Sequence, residues 1–137
     1  MQQSKRYNIF ISHAWSYGED YDHLVNLLNN APNFLYKNYS APEDKPLVSS
    51  NSYVSEIKLK KEIDNKIRYA QCVLIIGGMY AKRTWMKYEL ESARSMGKPI
   101  IVVAPRGQER IPTELQIYPI VYWNTNSIIN AIKEFSL

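Results

Sequence analysis

A chain of 137 residues with 45% hydrophobic content is the size of one ordinary domain and carries enough apolar material for a buried core. Seventeen Lys and Arg against thirteen Asp and Glu leave a net charge of +4, which suits an anionic partner but does not choose among nucleic acid, a membrane surface and a phosphorylated small molecule. The lone Cys72 excludes an internal disulfide and a cysteine-based zinc site, no apolar run reaches membrane-span length, and "MQQSKRYNIF" lacks the apolar centre of a signal peptide, so one domain over 1–137, cytoplasmic and without a membrane partner, is expected.

"YNIFIS" is a short β-favouring run that leads through "HAWSYGED" into Tyr21, Leu24, Val25 and Leu28, spaced as one face of a helix. Ser16 with Glu19 three residues later reads as a capping box at its start. "FLYKNYS" is a candidate second strand. The polar segment 41–52, "APEDKPLVSSNS", has two prolines and no period, and its length points to a binding loop or lid. A helix from about Tyr53 to Tyr69 turns Leu59, Ile63, Ile67 and Ala70 inward. On its other positions Lys58, Lys60, Lys61, Lys66 and Arg68 alternate with Glu56, Glu62 and Asp64, the pattern of a solvated face rather than a nucleic-acid stripe.

"CVLII" follows as a strand buried on both faces, where Cys72 fits as a small hydrophobe rather than a nucleophile. Gly77 and Gly78 end it, and a helix from about Thr84 to Met96 is stopped by Gly97 and Pro99. "PIIVVA" is the next buried strand; after a loop containing "RGQERIPTELQ", "YPIVYW" supplies a fifth, and Ile128, Ile129, Ile132 and Phe135 a closing helix. The alternation predicts an α/β domain whose parallel sheet is covered by helices on both faces.

Ligands of open parallel sheets bind beyond the carboxyl ends of the strands, where strand order reverses, and in a 2-1-3-4-5 sheet that point lies between strands one and three. Here those ends are "SHAW" and "GGMY", which bring Ser12, His13, Ala14 and Trp15 together with Gly77, Gly78 and Tyr80. Such a crevice offers stacking surface, polar groups and close backbone approach; equally, the glycines only turn the chain and Trp15 packs over a helix.

Within "RTWMKYELESARSMG", Met86, Leu90 and Ala93 mark the inward direction of the helix. Glu91 points away, between Lys87 and Arg94, as an ordinary solvated pair network. Glu89 falls about 60° off the stripe, on the flank of Trp85 and Met96, with no cation three or four residues away. Two roles suit it: an anion looking into the crevice, or a structural carboxylate with a partner elsewhere, such as a lysine on the next element.

"YNIFISHAW" and "YAKRTWMKYEL" resemble the two most informative segments of TIR domains, and "FISHAW" resembles the prokaryotic TIR-like branch that includes the ThsB proteins of Thoeris anti-phage systems. The likeness spans essentially the whole chain. It implies a flavodoxin-like three-layer sandwich with a five-stranded parallel sheet in the order 2-1-3-4-5. It further implies cleavage of NAD at the nicotinamide–ribose bond, with Glu89 as catalytic residue four positions after Trp85. Ser12, His13, Ala14, Trp15, Gly77, Gly78, Tyr80 and Trp85 would then contact the nucleotide, and segment 41–52 takes the place of the BB loop, which borders the site and serves self-association. Animal and plant members commonly carry an aspartate at Asn8, a serine at Arg83 and a cysteine at Met86, and the loop here lacks the usual glycine; Trp85 and Glu89 are kept.

One carboxylate suffices for this reaction. Glycosidases use two because a sugar alkoxide needs a general acid, whereas nicotinamide leaves a cationic pyridinium as a neutral molecule. A single anion orients the ribose and stabilises the developing positive charge. NAD is thus the expected substrate, with no further cofactor, and the two histidines, His13 and His23, are too few for a convincing metal site. The resemblance implies an ADP-ribose-derived product, cyclic rather than hydrolysed, that signals to a separate effector protein, and a phage-derived trigger. The alternatives are a non-catalytic adaptor working through protein–protein contacts and a flavin or receiver domain; a receiver is disfavoured because no acidic pair follows strand one.

Overall fold

The computed structural model describes residues 6–12, 18–39, 52–77, 84–104 and 111–137, with the backbone alone at 18, 19, 52–56, 84 and 85. Its elements are β1 (Arg6–Ser12), α1 (Gly18–Asn30), β2 (Leu35–Asn38), α2 (Ser52–Tyr69), β3 (Cys72–Ile76), α3 (Thr84–Ser95), β4 (Ile100–Val103), a 3-10 turn (Thr113–Leu115), β5 (Ile120–Val121) and α4 (Thr125–Phe135). The five strands form one parallel sheet in the order β2-β1-β3-β4-β5, the expected α/β fold.

Crossovers between parallel strands are right-handed, so a connection that moves one way along the sheet lies on the opposite face from one that moves the other way. β1 to β2 runs against the later connections, which places α1 opposite α2 and α3. The contacts agree: α2 packs on α3, and α1 on α4. β3 and β4 are buried at every residue, as a strand covered on both faces must be.

Each central strand is made of what such a position needs. Ile9, Phe10 and Ile11 on β1, Val73, Leu74, Ile75 and Ile76 on β3, and Ile101, Val102 and Val103 on β4 are all fully buried. Leu59, Ile63, Ile67 and Ala70 are buried as the helical spacing predicts. Cys72 is buried, and burial pushes its thiol up to about 11, so it stays a neutral hydrophobe.

The helix ends follow local chemistry. Gly97 takes φ +70°, which a residue with a Cβ resists; its N–H donates to the Arg94 carbonyl and that of Lys98 to the Ala93 carbonyl, the two bonds of a Schellman stop. Asn124 caps α4 by accepting from the Ser127 N–H. The capping box at Ser16 and Glu19 and the loop 41–51 lie outside the described residues and side chains.

Two expectations are corrected, the length of the edge strands and the place of Asp64. The edge strands are shorter than "FLYKNYS" and "YPIVYW" suggested, four and two residues, because an edge is paired on one side alone. The closing helix ends at Phe135 as expected, with 38% of that residue exposed while Ile128 and Ile132 are fully buried. Asp64 is half-buried and hydrogen-bonded, not part of the solvated face. No helix among the described residues is long and apolar enough to cross a membrane.

Candidate active site

β1 and β3 are neighbours in the middle of the sheet, with Ser12, the last residue of β1, opposite Ile75. Beside them is the point at which strand order turns back on itself. α3 packs against both strands and is seated by Met86, Leu90 and Ala93, all buried. This seating carries Glu89 to the end of β1, where the Ser12 hydroxyl donates a 2.6 Å hydrogen bond to Glu89 Oε1. Both side chains are buried, Ser12 fully and Glu89 with 2% of its surface left.

The depth of Glu89 was not legible on a helical wheel, which gives the direction of a side chain but not how far its neighbours rise around it. Among the described residues the hydrogen-bond partner of Glu89 is a neutral hydroxyl. Burial penalises the charged form and outweighs the Ser12 hydrogen bond, so the carboxyl is pushed up to about 8. Such a carboxyl holds its proton far more readily than a solvated one.

Replacing Ser12 with Ala is expected to raise that midpoint further, because the hydroxyl is the contact that lowers it. It is also expected to destabilise the fold by about 1–3 kcal/mol through the unsatisfied acceptor. A 13C titration of the glutamate carboxyls, with the Glu89 signal assigned by its loss on substitution, reads the first effect and denaturant unfolding the second.

A second polar cluster lies on the same helix. The Tyr88 hydroxyl donates to both oxygens of Asp64, at 2.8 and 2.9 Å, and the Ser92 hydroxyl donates to Oδ1 at 2.7 Å. Asp64 belongs to α2, and the Lys60 ammonium, one turn earlier, sits 5.2 Å from the centre of the Tyr88 ring. Burial, then the Asp64 hydrogen bond and charge, pushes the Tyr88 phenol up to about 12, which keeps it a donor. Sequence reasoning missed this cluster. Its signal was present in Tyr88 and Ser92, four apart on one helix and flanking Glu89.

Of the sequence-predicted site residues, the structure brings Ser12 and Glu89 into contact and places Gly77, buried, directly after β3. Trp85 occupies the second position of α3, and its side chain lies outside the described ones. His13, Ala14, Trp15, Gly78 and Tyr80 also lie outside the described residues.

A profile of the TIR-like domain of the Thoeris protein ThsB matches residues 10–110. The chain belongs to that family. The matched stretch contains Ser12, Asp64 and Glu89 alike, so the geometry described above sits within the ThsB-type region. Among solved structures, this ThsB-type domain is similar to the 2-deoxyribosyltransferase of Bacillus psychrosaccharolyticus. The two are 18% identical, with 90% of each chain covered and a TM-score of 0.61. It is also similar to BcmB, the CMP N-glycosidase of Clostridium botulinum, at 12% identity, with 92% of this chain and 98% of that one covered and a TM-score of 0.55. At these identities the likeness is one of fold. No curated protein matches the chain.

Proposed function

We propose that this domain serves anti-phage defence by cleaving NAD at the nicotinamide–ribose bond, with Glu89 as its one catalytic carboxylate. The observation that carries the reading is the buried Glu89–Ser12 pair at the carboxyl end of β1, at the switch point of the sheet. A carboxyl raised to about 8 with a hydroxyl as its partner is costly to keep in a core, and that cost is understandable where the anion is needed for chemistry. Family membership supports the defence setting, and two proteins of similar fold are named for deoxyribosyl transfer and for N-glycoside cleavage, chemistry at a sugar–base bond.

In the proposed reaction the C1′–N bond breaks and its electron pair goes to the pyridinium nitrogen, which makes nicotinamide neutral. Positive charge develops on C1′ and the ring oxygen, and the Glu89 anion stabilises it in a water-poor site. Ser12 holds Oε1, and in the proposed complex the second oxygen faces the ribose. An acceptor hydroxyl then bonds to C1′ and its proton passes to the Glu89 carboxylate, which releases it to solvent. We favour a hydroxyl of the same molecule over water, giving a cyclic ADP-ribose-derived signal for a separate effector protein. Ser12, His13, Ala14, Trp15, Gly77, Gly78, Tyr80 and Trp85 are the proposed nucleotide contacts.

The proposal gives the pH profile a sign. The active form is the anion and the free carboxyl titrates near 8, so kcat/KM should rise with pH through about 8 and level off above it. The cationic nicotinamide ring favours the anion, so the midpoint of kcat should lie lower than that of kcat/KM.

Mass spectrometry of NAD incubated with concentrated protein, in buffer and in lysate from phage-infected cells, tests the reading. Release of nicotinamide with an ADP-ribose-derived product supports it and identifies the product. Folded protein that releases none under either condition overturns it in favour of an adaptor working through protein contacts.

A further inference from the structure

The apolar seat of α3 is a weak guide to the helix's rotation about its own axis. Met86 is unbranched and adaptable and Ala93 is small, which leaves Leu90 as the one branched group in the seat, and burial of apolar groups has no preferred direction. A rotation of about 10° displaces a group about 6 Å from a helix axis by about 1 Å. Ser12 holds one carboxyl oxygen from the strand side, so what remains to be fixed is the rotation of the helix that carries Glu89. Three hydrogen-bond contacts converge on Asp64 from Tyr88 and Ser92, the positions immediately before and three after Glu89.

From this arrangement we infer that Asp64 is a positioning residue: by accepting from Tyr88 and Ser92 it fixes the rotation of α3 and so the place of the Glu89 carboxyl. The inference rests on the reading of Glu89 as catalytic. Both helices take part, since Asp64 belongs to α2, which Leu59, Ile63 and Ile67 seat in the core. The restraint acts through hydrogen bonding rather than charge. Tyr88 and Ser92 both donate to Oδ1, the oxygen an asparagine retains.

The test compares wild type, Asp64→Ala and Asp64→Asn, each checked for folding by denaturant unfolding. Asp64→Ala is expected to lower kcat for nicotinamide release by about 10- to 100-fold with little change in KM, as for a reacting group moved by about an ångström. It should also move the carbon-13 titration midpoint of Glu89 by about one pH unit or more, since the carboxyl's surroundings change. Asp64→Asn should restore both readings to near wild type. A merely structural Asp64 would lower stability and leave the kcat of folded protein and the Glu89 midpoint where they are; that result overturns the inference, as does equal damage from Ala and Asn.

If wild type releases no nicotinamide, the cleavage reading fails on its own and the Glu89 midpoint alone decides the positioning role by the same criterion. If Asp64→Ala does not fold, Tyr88→Phe combined with Ser92→Ala removes the donors while keeping both backbones and the ring beneath Lys60. The same shifts are then expected, and their absence overturns the inference.

Discussion

Glu89→Gln is expected to lower nicotinamide release by about 10²- to 10³-fold, the loss typical of removing a group that stabilises developing charge in a water-poor site, and to stabilise the fold at alkaline pH. The second effect follows from linkage. The Glu89 carboxyl titrates near 8 in the folded protein, above its usual value of 4.5. Between those values the folded state holds a proton that the unfolded state has lost, so wild-type stability declines as pH rises through this window and is constant above it. Glutamine carries no titrating group and escapes the decline. The variant should match wild type near pH 5 and exceed it near pH 9 by on the order of 3–5 kcal/mol. Denaturant unfolding at the two pH values measures the difference. A structural carboxylate paired with a cation would behave in the opposite way, with Gln weaker than Glu at high pH.

Phe10→Ala should be among the most damaging substitutions in the core, at about 3–5 kcal/mol. Phe10 is fully buried on the strand between β2 and β3, opposite Val73, so the cavity it leaves is surrounded by rigid sheet on one side and packed helix on another. Against the roughly 5–15 kcal/mol that holds a domain of this size, much of the population would unfold on mild warming. Phe135→Ala removes the same ring from the end of α4, where 38% of the residue is already exposed, and should cost about 1 kcal/mol or less. Urea midpoints at constant slope for the two variants compare depth at fixed chemistry.

The same contrast explains what was legible in the sequence. Helix faces and central strands were, because Leu59, Ile63 and Ile67 or the run "CVLII" state their burial locally, through a period or a composition. The strand order could be expected from alternation and resemblance together, and the parallel registers agree with it. The identity of Glu89 as the unusual carboxylate on α3 was also local, since no cation lies three or four residues from it on the helix. Its partner was not. Ser12 is 77 positions away, and only the packing of α3 across the end of β1 brings the two within 2.6 Å. Asp64 was misread for a related reason: on its own helix it sits among lysines and looks solvated, whereas its real donors, Tyr88 and Ser92, arrive from another element.

The short borders of the sheet have a consequence for how copies of this domain could meet. β2 offers four residues and β5 two, and Lys37 stands on the former. Joining two molecules edge to edge would form few backbone hydrogen bonds, and at the β2 border it would bring the lysines of both copies together. Any assembly is therefore expected to rely on side chains from helices and loops, and the sheets of neighbouring molecules should stay separate rather than fuse into a growing ribbon. High concentrations, the condition under which fibrils usually start, should leave this protein without the cross-β signal of stacked strands.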